Sequence, residues 1–479
     1  MAAGATEMIP SFLEGQWRES GDSEEDVLDK YTGQLNGRVV VTGQQDLSRA
    51  ARALAAAQEQ QRLTPFRRYE ILSLAAEMLA VRADQFVASI MLDTGFPRGD
   101  AVAETERAVD TLQLSASEAR RLTGDMVPLD AAPQAPRAWG FTLRVPIGVV
   151  CAITPFNSPL NVLLHKVAPA IAAGNAVMIK PSLHTPRTAN LIVGLLIEAG
   201  LPPELIAVAH GPGSTVGTWL LEDKVFGFYA FTGSTEVGRI IRRTIGVRRA
   251  QLELGSISST IVCEDADIEH AAAGCVGSAF RKAGQVCTSL QRLYVHAGVE
   301  ADLIDLITGL LDKRVVGDPA ATATDIGPLI NEASASRVDA WIDEAVSEGA
   351  HKVYGGGREG RVVMPSVLTQ VAPQMKVMSQ ELFGPAVMIR PFTALADAID
   401  EVNDTPFGLS AGIFTSNIGT AMDAAEKIRM GSVHINASSS NRSDLMPFGG
   451  VKDSGEGHEG PAYAVREMTE QRLITIGRP

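Results

Sequence analysis

The stretch GVVCAITPFNSPLNVLLHKVAPAIAAGNAVMIK, Gly148–Lys180, decides the fold. Its first apolar run, Gly148–Ile153, is too short for a helix and is closed by Pro155, so it predicts a buried strand. Pro159–Ala173 is long and apolar nearly all round, and Gly174 ends it, which predicts a buried helix. Ala176–Lys180 predicts a second strand. A strand, a helix and a strand in this order form a parallel crossover. The rhythm continues downstream. Strands at Leu205–Ala209, Phe226–Phe231 and Ala250–Leu254 alternate with helices at Thr185–Ala199, Thr215–Leu221 and Thr235–Thr244. This alternation predicts an α/β fold with a parallel sheet covered by helices on both faces. Such sheets bind ligands beyond the carboxyl ends of their strands.

Upstream, the first third of the chain reads as helical. Asp46–Gln60 is Ala-rich with Asp46 as its expected cap, and Pro65–Asp93 and Arg98–Leu122 follow with apolar residues three and four apart. Thr123–Val145 then alternates and reads as an extended hairpin with a loop at 131–136. A second α/β stretch starts at Ser256. It has a helix at Asp267–Lys282, a strand at Gln291–His296, helices near Ala301–Leu311 and Ala333–Glu348, and strand–helix pairs up to Ile435. A Gly-rich tail, Pro447–Gly460, precedes a last helix and a strand at Arg472–Ile476. That strand is expected to join the early hairpin or another subunit.

The 479 residues allow two or three domains and a core that needs no disulfide or metal staple. With 42 Lys and Arg against 56 Asp and Glu, the net charge of −14 argues against a nucleic-acid or membrane-surface partner, whose phosphates select basic proteins. The four cysteines form no C-x-x-C and the eight histidines no H-E-x-x-H, so no metal site is expected. Residues 1–20 contain no apolar core of a signal peptide, and no run of 18 apolar residues occurs. The expectation is a cytoplasmic protein with reduced thiols.

Several segments carry chemistry. Gly455–Gly460 spells G-x-G-x-x-G, but no strand precedes it, so a loop turn is expected there. FTGSTEVG, Phe231–Gly238, follows a strand and opens a helix. That places free backbone N–H groups and a partial positive charge where a pyrophosphate could sit, or else forms an ordinary capped turn. Cys151, Cys263 and Cys275 stand in apolar stretches and read as core residues. Cys287 lies among Gly, Gln, Thr and Ser in KAGQVCTS, the polar setting that a reactive thiol needs. Glu253 ends a strand between two leucines. It is expected to have a raised pKa and could serve as a base, unless it pairs with Arg248 or Arg249. Asn157 ends another strand, where its amide could donate to an oxyanion or cap a helix.

Taken in order, these segments resemble the aldehyde dehydrogenase superfamily. The resemblance rests on PFN at Pro155–Asn157, KPS at Lys180–Ser182, FTGSTEVG at Phe231–Gly238 and LELG at Leu252–Gly255. It continues through GQVC at Gly284–Cys287, ELFGP at Glu381–Pro385, FGLSAG at Phe407–Gly412 and PFGGVKDSG at Pro447–Gly455. It implies a Rossmann-like cofactor domain (1–122 and 146–252), an α/β catalytic domain (253–446) and a small β oligomerisation arm (123–145 and 461–479). It also implies oxidation of an aldehyde to its acid with NAD or NADP. Cys287 would be the nucleophile, Asn157 an oxyanion donor and Glu253 the base that activates the hydrolytic water. The cofactor would lie against Ile153, Thr154, Pro155, Phe156, Lys180, Ser182, Leu183, Gly213, Phe231, Gly233, Ser234, Val237, Gly238, Leu254, Glu381 and Phe383.

Leu183 stands where many NAD-preferring members carry a Glu that holds the ribose hydroxyls, so a 2′-phosphate meets no repulsion and NADP use is plausible. Ser256 replaces a common Gly with little expected effect. The positions matching the aldehyde tunnel are polar. Arg107, Ser158, Arg281, Val286, Thr288, Arg442 and Phe448 are the candidate substrate residues, with Asn161, His165, Ser438–Ser440 and Asn441 nearby. They imply a small polar or anionic aldehyde, although charge pairs and a buried His165 are the plainer readings. MPFGGVKDSG and LELGS resemble the lactaldehyde and phosphonoacetaldehyde dehydrogenase-like branch, but Ser158 and Val286 are not the basic neighbours that a phosphonate would call for. Glu253 argues against a CoA-acylating relative, and the trio of Cys287, Glu253 and Asn157 against a silent binding protein. The family implies a homodimer or homotetramer.

Overall fold

A computed structural model describes residues 7–134 and 138–477. The strands expected around Gly148–Lys180 form the middle of an eight-stranded sheet. Its order is Gly455–Glu456, Arg249–Glu253, Phe226–Thr232, Val149–Ile153, Ala176–Lys180, Ile206–Val208, Ser11–Leu13, Gln16–Arg18. The five central strands are parallel, and short antiparallel strands close both edges. Every residue of Val149–Val150–Cys151–Ala152 and Ala176–Lys180 is buried, as befits strands covered on both faces. Cys151 is a core residue here. The helix Asn161–Ala173 buries twelve of its thirteen residues.

A second sheet of seven strands holds Ser258–Val262, Leu290–His296, Ala386–Phe392 and Ser410–Phe414 at its centre, all parallel. Thr469–Gly477 pairs antiparallel with Ala138–Pro146 over nine positions, from Thr469↔Pro146 to Gly477↔Ala138, and Met126–Val127 pairs on the other side. The final strand therefore joins the early hairpin of its own chain. The loop expected at 131–136 falls partly outside the described residues.

Four local expectations are corrected. The first third is not only helical, because residues 8–41 supply five strands. Three of them have only two or three residues, too short for alternation to register, and SEEDVL at Ser23–Leu28 exposes five of its six residues; the fifth, Leu35–Val41, has seven residues and buries four. Asp46 is no cap: the helix Gln44–Gln60 starts after Gly43, and Asp46 in the first turn binds Arg49 instead (2.7 Å). Pro65–Asp93 is two helices, Pro65–Val81 and Ala83–Thr94, parted at Arg82. Gly455–Glu456 is an edge strand on Arg249–Glu253 rather than a loop turn.

Candidate active site

Cys287 stands between two cavities. The larger, about 450 Å³, runs along the carboxyl ends of the first sheet and is bordered by Thr154, Pro155, Phe156, Lys180, Ser182, Leu183, Gly213, Gly233, Ser234, Leu254, Glu381 and Phe383. The smaller, about 120 Å³, is bordered by Arg107, Ser158, Asn161, Arg281, Val286, Thr288 and Ser440. Cys287, Asn157, Val162 and Arg442 border both.

The thiol is half-buried on a loop with unusual backbone. The helix that begins at Ile268 ends at Phe280, short of the expected Lys282, because Lys282, Ala283 and Gly284 take left-handed φ of 52°, 53° and 72°. Two side-chain-bearing residues in that region mark a segment held by its surroundings. Burial pushes the Cys287 thiol up to about 12, with the Arg442 guanidinium pulling the other way. Asn157 lies across from it, its amide nitrogen donating to the Gln285 carbonyl (2.8 Å). An amide nitrogen carries two hydrogens, so one remains for a substrate oxygen.

Glu253 ends its strand fully buried, and neither carboxyl oxygen has a hydrogen-bond partner among the described residues. Arg248 turns to the Leu221 and Asp223 carbonyls and Arg249 to the Thr469 carbonyl, so neither neutralises it. Burial first, and the nearby Glu459 second, raise the Glu253 pKa well above the ordinary carboxyl value. Glu459 is itself buried. Lys166 (3.0 Å) and Arg442 (2.6 Å) overcome its burial and hold it ionised well below the usual range.

The sequence model of the aldehyde dehydrogenase family matches residues 17–474. The chain is 43% identical to the 3-sulfolactaldehyde dehydrogenase of Priestia megaterium over 465 residues, 97% of each chain. It is 36% identical to the lactaldehyde dehydrogenase of Methanococcus vannielii, over 97% of this chain and 99% of the relative. Its fold superposes with a TM-score of 0.95 on the NADP-dependent glyceraldehyde-3-phosphate dehydrogenase from Bacillus halodurans complexed with NADP, 32% identical, covering 99% of this chain and 100% of that one. The chain belongs to the aldehyde dehydrogenase family. It is an oxidoreductase acting on the aldehyde group.

The larger cavity of this aldehyde dehydrogenase suits a dinucleotide. Lys180 is a buried ammonium whose one hydrogen bond among the described residues is a long one to its neighbour's carbonyl (Pro181 O, 3.4 Å), and burial holds it down to about 8. A Cβ on Gly213 would meet open space. The helix Thr235–Ile245 presents its N-terminus at Gly233–Ser234, with Ser234 Oγ accepting from the Val237 N–H (3.4 Å). Gly238 lets that helix press on Leu254, whose Cδ2 would lie 2.4 Å from a Cβ there. Glu381 accepts from the Ser256 N–H (2.9 Å), and burial pushes its pKa up to about 7. Phe383, at φ 52°, sets its ring edge-on to Phe156 (6.0 Å).

Four expected cofactor residues do not border this cavity. Ile153 and Phe231 are in the strands, with the Phe231 ring against Gly233; Val237 and Gly238 are on the helix rather than in the cavity wall. Phe448, expected at the substrate, borders the larger cavity, with the Arg442 guanidinium 3.8 Å above its ring.

The three arginines differ in what they already hold. Arg107 grips Asp444 through Nε (3.0 Å) and Nη2 (2.6 Å). Asp444 also accepts from Asn161 (3.2 Å) and bonds His165 Nε2 (2.7 Å). His165 is indeed buried, but its Nδ1 has no partner among the described residues. Arg442 binds Glu459, and its buried Nε is unpartnered among the described residues. Arg281 is half-buried beside Cys287 and has no hydrogen bond or ion pair among the described residues.

Sequence reading missed Glu104, Lys166, Lys282, Asp444 and Glu459. Lys166 had a signal, as one of two basic side chains in an otherwise apolar helix that must bury it, because a buried ammonium needs a carboxylate. Glu459 sat inside the glycine pattern that was read as a turn.

Proposed function

We propose that this aldehyde dehydrogenase oxidises a short aldehyde bearing an anionic group to its carboxylic acid, using NAD or NADP and a thioester on Cys287. The observation that carries this reading is the position of Cys287 at the junction of a dinucleotide-sized cleft and a small cavity walled by Arg107, Arg281 and Arg442. 3-Sulfolactaldehyde, named for the 43% identical relative, carries one sulfonate on a three-carbon aldehyde, an anion for Arg281, which has no ion-pair partner among the described residues, in a wall that also holds Asp100 and Glu104. Leu183 brings no carboxylate to the Lys180–Ser182 end of the cleft, which favours acceptance of a 2′-phosphate.

In this reading the Cys287 sulfur adds to the aldehyde carbon and its proton passes to a base, with Glu253 the carboxyl beside it. The carbonyl electrons move to oxygen, where the free Asn157 amide hydrogen and the Cys287 backbone N–H meet them. The bound nicotinamide supplies the acceptor for the aldehyde's hydride. Once it has passed the thiol's proton on to solvent, Glu253 takes a proton from water, whose oxygen attacks the thioester carbon, and the Cys287 sulfur leaves as the thiolate. Covalent attachment divides one difficult oxidation into two easier steps.

The reading extends to the whole chain. Residues 1–122 and 146–252 serve the cofactor, 253–446 the thiol chemistry, and 123–145 with 461–479 the assembly of a homodimer or homotetramer. The arm sheet exposes Trp139, Leu143 and Ile476 on one face, an apolar surface that a second copy would cover. No described helix is long and apolar enough to cross a membrane, and a cytoplasmic location is proposed.

The test is absorbance of the reduced cofactor with a panel of 3-sulfolactaldehyde, lactaldehyde, succinic semialdehyde, phosphonoacetaldehyde, hexanal and benzaldehyde, each with NAD and NADP. Highest kcat/KM on an anionic member supports the reading. Preference for hexanal or benzaldehyde overturns its substrate half.

A further inference from the structure

Lys282 is buried five residues before the nucleophile, in a left-handed conformation that a side-chain-bearing residue rarely adopts. Its ammonium donates to Glu104 Oε2 (2.6 Å) and to the backbone carbonyl of Asn157 (2.8 Å). Glu104, buried on the helix Arg98–Arg121, accepts through Oε1 from the backbone N–H groups of Leu160 (3.0 Å) and Asn161 (3.3 Å). One ion pair thus ties three segments: the turn that leads to Cys287, the loop that carries Asn157, and the start of the helix after it.

The turn is held from its other side as well. The Lys282 N–H donates to Asp100 (3.1 Å), and the Gln285 amide donates to the Lys282 and Pro328 carbonyls (3.1 and 3.3 Å). The Gln285 carbonyl in turn receives the Asn157 amide (2.8 Å). Asn157 is therefore gripped at its backbone by Lys282 and at its side chain by Gln285, both residues of the nucleophile's own loop.

We propose that the Lys282–Glu104 pair is a positioning device for the acylation step, fixing the Asn157 amide relative to the Cys287 sulfur. This rests on the reading of Asn157 and Cys287 given above. Glu104 and Lys282 also border the smaller cavity, but there the ammonium is engaged by Glu104 and the Asn157 carbonyl, so each acts through the loop it holds. Misplacement by about 1 Å of a group that meets the transition state lowers a rate about 100-fold.

The experiment is single-turnover cofactor reduction in Lys282→Met, which keeps most of the length of the side chain and removes the charge. The rate is expected to fall about 100-fold. Cofactor affinity by fluorescence titration and alkylation of Cys287 by iodoacetamide should stay within about threefold, because neither uses the Asn157 amide. Glu104→Gln, which retains an acceptor for Leu160 and Asn161, should lose less. If Lys282→Met alone does not fold, Lys282→Met with Glu104→Gln removes both buried charges and should fold yet remain slow. An unchanged single-turnover rate in a folded variant overturns the proposal. So does a rate loss matched by equal losses in cofactor affinity and alkylation, which marks general loosening. Wild-type protein that reduces no cofactor with any aldehyde overturns the reaction assigned to the site, not the strut.

Discussion

The two cavities that meet at Cys287 are built from different materials. The larger takes part of its wall from small residues at strand ends and at one helix N-terminus, brought together by a parallel sheet, with Phe156, Lys180, Leu183, Glu381 and Phe383 among its larger side chains. The smaller is walled by long charged side chains from separate parts of the chain. Arg107 comes from the helix Arg98–Arg121, Arg281 from the turn after Phe280 and Arg442 from a loop near the C-terminus. The first surface follows from topology, and the second from which ion pairs happen to form. Cofactor recognition should therefore tolerate most side-chain changes, while substrate recognition should hinge on single charges.

The largest effect is expected where both cavities depend on one group. Cys287→Ala should lower turnover by at least about 10⁴-fold, the scale seen when a covalent nucleophile is removed. Titration of the variant with NAD and NADP should give affinities near wild type. Retained turnover would separate the thiol from the chemistry and dissolve the junction on which the comparison rests.

Glu253→Gln should come next, with steady turnover down about 10³-fold from loss of the general base. Its pH profile sharpens the point. A base must be ionised to act, and burial and Glu459 raise the Glu253 pKa, so the rising limb of kcat in the wild type should lie well above the ordinary carboxyl pKa of 4.5. Substituting Glu459→Gln removes a nearby negative charge and should move that limb toward lower pH. A limb that stays in place would mean another group titrates there.

The larger cavity was legible in the sequence because its parts are local. FTGSTEVG, KPS and PFN each place a strand end and the following turn within a few residues, and the sheet register does the rest. The smaller cavity was only half legible. Arg107, Arg281 and Arg442 could be named from the family resemblance, but not which of them was already occupied. Asp444 decides that for Arg107, and it stands 337 residues away in sequence. Glu104 and Lys282, 178 residues apart, were invisible for the same reason. Pairing across such distances is a property of the packed chain, not of any window along it. Four of the early strands of residues 8–41 were lost for a different reason, being too short or too exposed to show a period; the fifth, Leu35–Val41, ends in the buried run Val39–Val41 and was legible.

The arginines offer a finer test. Arg281→Met should raise KM for an anionic aldehyde about 10- to 100-fold, the worth of about 1.5–3 kcal/mol for a hydrogen bond to a charged group. KM for an uncharged aldehyde of the same length should barely move. Arg107→Met should do less, because Nε and Nη2 of Arg107 are engaged by Asp444. Equal effects at the two positions would show that the clamp does not withhold Arg107 from the substrate.

The smallest effect should come from the cofactor side, at Leu183. Leu183 borders the cleft beside Lys180 and Ser182, and its other face packs on Ile9, Val27 and Val39. Leu183→Glu would set a carboxylate next to the seat of the adenosine ribose. It would repel a 2′-phosphate, at a cost of about 1 kcal/mol or more per charge pair at close range, and would accept bonds from the two free hydroxyls of NAD. NADP affinity should fall about tenfold, with NAD affinity equal or better, both read by fluorescence titration. Lys180 gives a second readout, because a nearby carboxylate favours its charged form and should raise a pKa that burial holds at about 8. If NADP and NAD weaken together, the change acts through the Ile9–Val27–Val39 packing and not through charge, and the cleft is more dependent on its side chains than its architecture implies.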